Sequence, residues 1–394
     1  MNAPAEIKLH AKLSASGSGK WLTCTPSARL EEQFSDEQSE FAAEGTFAHE
    51  VFEYVLNGHL KGYDVSKYEG LSGHQYFSRD LLDHVHASVA VVLERIEEAR
   101  QRSKDPVIMV EQRLDFSVWV PEGFGTGDVV IVSDGVVEVL DLKYGKGISV
   151  YAPGNTQMRL YALGALHELA HLYDIETVRM TILQPRLDNY STDEITAAEL
   201  LGWAENFVKP RAELAWDGKG EFVAGDHCHQ YFCRARATCR ARAEGNLALA
   251  RVEFAMKQPD LLFDDEIAQV LAKAESLAKW AGEVQEYALK KAEAGRKFAG
   301  WKLVEGRSNR KYSNPDAVAA KLLQSGIDEA VIYERSLLGI TAMEKAIGKK
   351  VFTEVLGGLV VKPPGKPTLV PETDKRSEID PAANANASAV ADFS

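Results

Sequence analysis

Asp128, Asp141 and Lys143 are the residues whose types and spacing allow chemistry. They lie in Gly125–Tyr144, GTGDVVIVSDGVVEVLDLKY, where two runs rich in β-branched residues, Val129–Val132 and Val136–Leu140, flank Asp134-Gly135. An Asp-Gly pair between such runs predicts a hairpin closed by a two-residue type I′ turn, which needs positive φ at both positions. With Ser133 facing Val136, the register carries Asp128 to a place opposite Asp141. Opposed side chains share a face of the sheet, with Cβ atoms roughly 4.5–5.5 Å apart. Lys143, two residues beyond Asp141, points to that face too, while Leu140 and Leu142 point the other way, into a core. Two carboxylates so close repel by several kcal/mol at an effective dielectric of about 20. A fold keeps them if they share a proton, are salt-bridged or bind a cation. Oxygen ligands suit Mg²⁺ or Mn²⁺. A lysine beside the cation can hold or activate a water and neutralise charge developing on a phosphate. The plain alternative is a surface hairpin with two solvated aspartates, one of them paired with Lys143.

A second cluster carries thiols. Cys228, Cys233 and Cys239 fall in CHQYFCRARATC, and Cys24 lies far upstream. With cysteine otherwise absent, a tight group in a reducing compartment predicts a metal site rather than a disulfide framework. Four thiolates suit tetrahedral Zn²⁺ or a [4Fe–4S] cluster, and His227 and His229 are substitute ligands. Either metal would staple the N-terminal segment to the end of the core, closing a very long loop. Arg234, Arg236, Arg240 and Arg242 interleave with the trio and could touch phosphates, although a solvated basic helix is the commoner outcome.

The elements that must position these groups follow from periodicity. Phe41 to about His59 is helical, with Phe47, Val51 and Val55 on one face and His49 among them. Gly45 inside that helix costs about 1 kcal/mol relative to Ala and suggests close approach of another backbone. Asp80–Arg102 is a second amphipathic helix. Val107–Val110 is a strand that ends in Glu111 and resumes at Arg113–Phe116. After the hairpin, Gly145–Pro153 is a loop. Asn155 to about Leu172 is a helix with Gln157 and Tyr161 on one face, Thr177–Leu183 is a strand, and Thr192–Ala215 contains a helix. This order predicts an α/β core with a mixed central sheet flanked by helices. From Asp264 to Gly295 a 3,4-spaced apolar seam (Ile267, Val270, Ala274, Leu277, Ala281, Val284, Ala288) predicts one long helix. Trp301–Tyr312 is basic and aromatic. Lys302, Arg307, Arg310 and Lys311 could guide a DNA strand, and Trp301 or Tyr312 could stack on bases. Asp316–Gln324 and Thr341–Ile347 are short helices, the latter with Thr341 as N-cap and Glu344 three residues on. Beyond Lys362 the composition predicts disorder. The expected division is a core over 1–250, a mainly helical module over 251–362 and a tail over 363–394.

The chain has 394 residues and a net charge of −13. That charge argues against a protein coated in nucleic acid but allows a local basic groove. No apolar run reaches the roughly 18–20 residues that span a bilayer, and the N-terminus lacks a signal-peptide core. A cytoplasmic protein is expected.

Gly127-Asp128, Asp141-Leu142-Lys143 and Gln157-x-x-x-Tyr161 together resemble the PD-(D/E)XK nuclease superfamily. Gly45-x-x-x-His49 and the one-plus-three cysteines resemble its RecB-like branch with an iron–sulfur cluster. The Trp21-Leu22-x-Cys24 opening and the segment from Lys362 look like a phage and prophage group within that branch. The resemblance covers about residues 14–245 and implies a restriction-endonuclease-like core. It implies that His49, Asp128, Asp141 and the Leu142 carbonyl bind the divalent metal, that Lys143 positions or activates water, and that Gln157 and Tyr161 support the site or the DNA. Glu111 is a weaker candidate. Cys24, Cys228, Cys233 and Cys239 would hold [4Fe–4S], with Zn²⁺ as alternative. Relatives have two residues, not four, between the first two clustered cysteines. The expected activity is a Mg²⁺- or Mn²⁺-dependent DNA exonuclease leaving 5′-phosphates, in phage recombination or DNA processing. It would work in the host cytoplasm beside a single-strand-annealing or single-strand-binding protein. The rival expectation is a non-catalytic DNA-binding or assembly protein with a structural zinc site.

Overall fold

The computed structural model describes residues 11–35, 40–169, 172–253, 264–302, 304, 314–328, 332–333 and 338–360. The tail beyond Lys362 lies outside them, as do Arg307, Arg310, Lys311 and Tyr312 of the basic stretch. The chain divides into two units, Met1–Lys291 and Ala292–Ser394.

The first unit opens with two short helices, α1 (Ser18–Trp21) and α2 (Ser27–Glu31), and two long ones, α3 (Glu40–Lys61) and α4 (Arg79–Arg102). Ser78 caps α4 by accepting from the Leu81 N–H at 3.2 Å, satisfying a donor that the first turn leaves free. Strands β1 (Val107–Asp115), β2 (Phe124–Ser133) and β3 (Val136–Leu142) follow, then α5 (Thr156–Leu169), β4 (Thr177–Gln184) and β5 (Asn189–Thr196). The sheet order is β1-β2-β3-β4-β5. Only β3 and β4 are parallel, joined by the α5 crossover, and the other pairs are antiparallel. The architecture is α/β, a mixed five-stranded sheet with flanking helices.

The strands are buried on both sides, so β2 and β3 read as near-continuous apolar runs rather than alternating ones. Val130, Val132, Val137 and Val139 pack with α5, α6 (Ala197–Trp203) and α7 (Lys209–Asp217). Val129, Ile131, Leu140 and Leu142 pack with α3 and α4. Leu140 and Leu142 thus face a core as expected. A π-helical turn, Ala204–Val208, joins α6 to α7. The unit ends with α8 (His227–Gln230), α9 (Arg240–Glu253) and most of α10 (Asp264–Glu293). Among the described residues the second unit contains α11 (Pro315–Gln324), α12 (Ile340–Ile347) and α13 (Lys349–Leu356).

Several local expectations are corrected. The hairpin pairs Ser133 with Val136 as expected, but its turn is not type I′. Gly135 has φ 73° and Asp134 is not in the positive-φ region. The Asp134 N–H donates to Ser103 Oγ at 2.5 Å, and the Gly135 carbonyl accepts from Glu176 and Thr177 at 2.9 Å each. Bonds from outside the hairpin set its link. A Cβ on Gly45 would meet nothing within 4 Å among the described residues, so no backbone approaches there. Helix α12 is capped by Gly339 without a side-chain bond, and Thr341 lies inside it. Helix α5 is described to Leu169, and Thr192–Ala215 contains a helix as expected, α6, preceded by the end of β5.

Candidate metal centre

His49, Glu111 and Asp128 come from α3, β1 and β2, yet each offers a ligand atom within 4.8 Å of the others'. His49 Nδ1 lies 3.1 Å from Asp128 Oδ1. Asp128 is buried, and its Oδ2 accepts the Leu142 N–H at 2.6 Å, which fixes the carboxylate. The Leu142 backbone, whose carbonyl is the expected ligand, thus lies beside Asp128.

Glu111 reaches the cluster because β1 breaks its pattern there. Ile108 and Val110 pack on the α3/α4 face and Met109 on the α5 face, but beyond Glu111 it is Leu114 that packs on the α5 face. Glu111 itself has φ 51°, a region that L-residues rarely occupy and that costs about 1–3 kcal/mol. The irregularity turns its carboxylate towards Asp128, the next residue in register beyond Val110↔Val129.

Beside this trio stands a second group. One step beyond Val129↔Leu140, the register sets Asp128 opposite Asp141. Lys143 Nζ lies 2.8 Å from Asp141 Oδ2 and donates to Gln157 Oε1 at 2.9 Å. Gln157 Nε2 donates to Asp141 Oδ1 and to the Tyr161 hydroxyl, both at 3.2 Å. Asp141 Oδ2 is buried, with the Lys143 amine as its ion-pair partner. Asn155 Oδ1 accepts from the Gln157 and Met158 N–H groups at the start of α5, which sets where Gln157 and Tyr161 project. The Tyr161 ring lies on Gly125, where a Cβ would come within 2.6 Å of Cε1. The acidic pair, the amine, the glutamine and the tyrosine all converge, and the histidine helix faces them.

The charges perturb one another. Burial alone would lower the His49 pKa, but the Asp128 carboxylate, aided by Asp141, raises it to about 9 against Lys143. Burial and then the Asp128 charge push Glu111 up to about 7. Asp141 is raised by burial and by Asp128, against the pull of Lys143 and His49. Burial raises the Tyr161 phenol, and the Asp141 charge adds to it. Such a set holds more negative charge than it can keep without protons or a cation. One imidazole nitrogen with carboxylate oxygens fits a Mn²⁺ or Mg²⁺ ion, and the Asp141 carboxylate lies beside them, opposite Asp128 in register.

The four cysteines line one pocket, together with Lys20, His227 and Arg236. Cys24, Cys228 and Cys233 are buried, Cys239 is half-buried and all are free thiols. Burial, then the nearby Glu31 charge, push the Cys233 thiol up to about 12. No three of the sulfurs lie within 4.8 Å of one another. A tetrahedral ion with bonds of about 2.3 Å would bring its thiolates to about 3.8 Å apart, so the spacing does not match a single zinc. His229 is turned away, paired at 2.8 Å with Glu283 of α10. Arg236 lies 3.2 Å from the same carboxylate and Arg242 also pairs with it.

Sequence reasoning underweighted Glu111, whose role depends on a backbone irregularity that no residue pattern announces. It missed Gln184 altogether. This side chain is 1% exposed and holds the loop after Lys143.

Residues 10–377 match the family described as "Protein of unknown function (DUF2800)", and the chain belongs to that family. Among solved structures it is similar to one titled "Crystal structure of SSO0001", at 16% identity and a TM-score of 0.21, over 55% of this chain and 95% of that one. A likeness at that level carries no argument about this chain.

Proposed function

We propose that this member of the DUF2800 family is a divalent-metal-dependent deoxyribonuclease of the PD-(D/E)XK superfamily, in its RecB-like iron–sulfur branch. It would degrade DNA from ends during phage recombination or DNA processing in a bacterial host cytoplasm, beside a single-strand-annealing or single-strand-binding protein. The observation that carries the reading is the meeting of His49, Glu111 and Asp128 beside Asp141, Lys143 and Gln157 at one end of the sheet. The preference for ends and the partner rest on the family resemblance alone.

His49, Glu111 and Asp128 would hold the ion, with Asp141 completing the set. A divalent cation there supplies Lewis acidity towards a phosphate oxygen and lowers the pKa of a bound water. Lys143 holds a proton on Nζ beside Asp141 and is placed to orient the attacking water and offset charge on the phosphate. Gln157 fixes that amine from the far side, and Tyr161 fixes Gln157. Cys24, Cys228, Cys233 and Cys239 would hold a [4Fe–4S] cluster, with Lys20 and Arg236 balancing thiolate charge.

The test is digestion of end-labelled single- and double-stranded DNA with Mg²⁺, with Mn²⁺ and with chelator. Metal-dependent loss of label, abolished in Lys143→Ala, is the expected result. Equal cleavage by that variant sinks the assignment. The Asp141–Lys143 ion pair at 2.8 Å favours one rival, a non-cleaving DNA-binding protein in which these groups are structural. Tight DNA binding with no metal-dependent cleavage would select it. For the cysteines, a brown protein with broad visible absorption is expected, and a colourless one with bound zinc would exclude the iron–sulfur assignment.

A further inference from the structure

The loop between Lys143 and α5 is braced from below and bare on top. Gln184, at the end of β4, donates from Nε2 to the Gly145 carbonyl at 3.1 Å and the Ile148 carbonyl at 2.8 Å. Its Oε1 accepts from the Val150 N–H at 3.0 Å and from Asn189 Nδ2 at 2.9 Å. Asn189 Nδ2 donates in turn to the Val150 carbonyl at 2.8 Å. One buried amide thus uses donors and acceptor alike to hold three points of a six-residue stretch, Gly145–Val150. A buried amide so fully engaged rigidifies what it touches.

The upper side of the stretch is Gly145-Lys146-Gly147. All three are exposed, and a Cβ on either glycine would meet nothing within 4 Å. Neither glycine has the positive φ that would demand the residue type. No carboxylate among the described residues pairs with Lys146. Ile148, next along, is 45% exposed. A lysine flanked by two glycines that the fold does not require, on a rigid base three residues from Lys143, suits close passage of an anionic backbone.

We propose that Gly145-Lys146-Gly147 is the shelf that carries a phosphodiester of the substrate strand, and that Gln184 is the residue that positions it. This rests on the nuclease reading. The shelf contributes to holding the strand rather than to bond breaking. Lys143 does not depend on it, because the Lys143 N–H bonds to the Leu183 carbonyl at 2.8 Å and its amine to Asp141 and Gln157.

The test uses the full chain and two variants that leave the brace intact, Lys146→Ala and Gly147→Ala. Binding of a fluorescein-labelled oligodeoxynucleotide, single-stranded and duplex, is followed by anisotropy in metal-free buffer across a salt series. Cleavage is followed with Mn²⁺. Each variant should weaken binding and raise KM about tenfold with kcat within about twofold, the scale of one charge-assisted contact. Lys146→Ala should also flatten the log–log salt dependence by about 0.7–0.9, one phosphate's worth, whereas Gly147→Ala leaves the slope alone. Gln184→Leu should raise KM likewise and keep kcat. Wild-type binding and KM in both tip variants would overturn the shelf. So would a Gln184→Leu defect seen only in kcat. A wild-type chain that binds DNA but never cleaves it would defeat the nuclease reading, while the anisotropy of the tip variants would still decide the shelf.

Discussion

Glu111 holds an unfavourable backbone conformation and a half-buried carboxylate whose pKa is raised to about 7. Both are explained if its duty is to a cation. Glycine tolerates φ near +50°, so Glu111→Gly should relieve strain of about 1–3 kcal/mol, partly offset by chain entropy. The expected melting temperature is unchanged or higher, and the rise that Mn²⁺ gives the wild type should vanish. A Mn²⁺-induced rise as large as the wild type's would remove Glu111 from the ligand set. The histidine gives a pH test. His49 has its pKa raised to about 9, so between the unfolded value near 6.5 and 9 the folded chain binds the extra proton. Stability then falls as pH rises through that window, by on the order of 3 kcal/mol at most. Thermal melts without metal should lose stability from pH 7 to 9. Mn²⁺ competes with that proton, so its apparent affinity should rise over the same range. A flat metal-free profile would mean the proton is not shared with Asp128. At this scale Asp128, Asp141 and Lys143 were legible, because carboxylates at fixed register and a lysine two residues on leave few geometries, whereas His49 entered only through the family resemblance. The Glu111 irregularity and the Gln184 brace were not, since both depend on neighbours distant in sequence.

Close approach of α5 to the sheet is what brings Gln157 to Lys143. Gly164 makes it possible, because a Cβ there would lie 2.8 Å from Leu114 Cβ and 3.1 Å from its backbone carbon. Gly164→Ala should therefore destabilise by about 1–3 kcal/mol, read as a lower melting temperature. An unchanged value would mean the helix can shift freely. The long helices and the hairpin strands could be read directly from apolar spacing. Strand β5, NYSTDEIT, could not. It is an edge strand whose residues alternate between half-buried and exposed, with Ser191, Asp193 and Ile195 on the inward side, too polar to announce a sheet. The hairpin link escaped for another reason. Ser103 and the β4 entry bond to Asp134 and Gly135 and override the local preference of the pair.

Across the whole molecule, one carboxylate secures the cysteine segment to the long helix. Glu283 accepts His229, Arg236 and Arg242, the last only 5% exposed. His229 and Arg236 are partly exposed, so removing Glu283 leaves one desolvated charge, Arg242, at a cost of about 1–3 kcal/mol. Glu283→Ala should thus lower the melting temperature and open new protease cuts within Asp264–Glu293. A wild-type cleavage pattern would show that α10 is held by other means. Among the described residues no helix is long and apolar enough to cross a membrane.

The N-terminal segment finds its contacts late. Arg29 bonds to the Trp216 carbonyl, 187 residues on, and Lys20 to the Tyr231 carbonyl, 211 residues on. Leu22 and Thr25 wait for Arg211 and Lys219 in the same way. At about 5–20 residues per second, a ribosome needs about 10–40 s to deliver those partners. Throughout that interval Trp21, Leu22 and the Cys24 thiol, all buried in the finished fold, are open to whatever chaperone or oxidant the nascent chain meets.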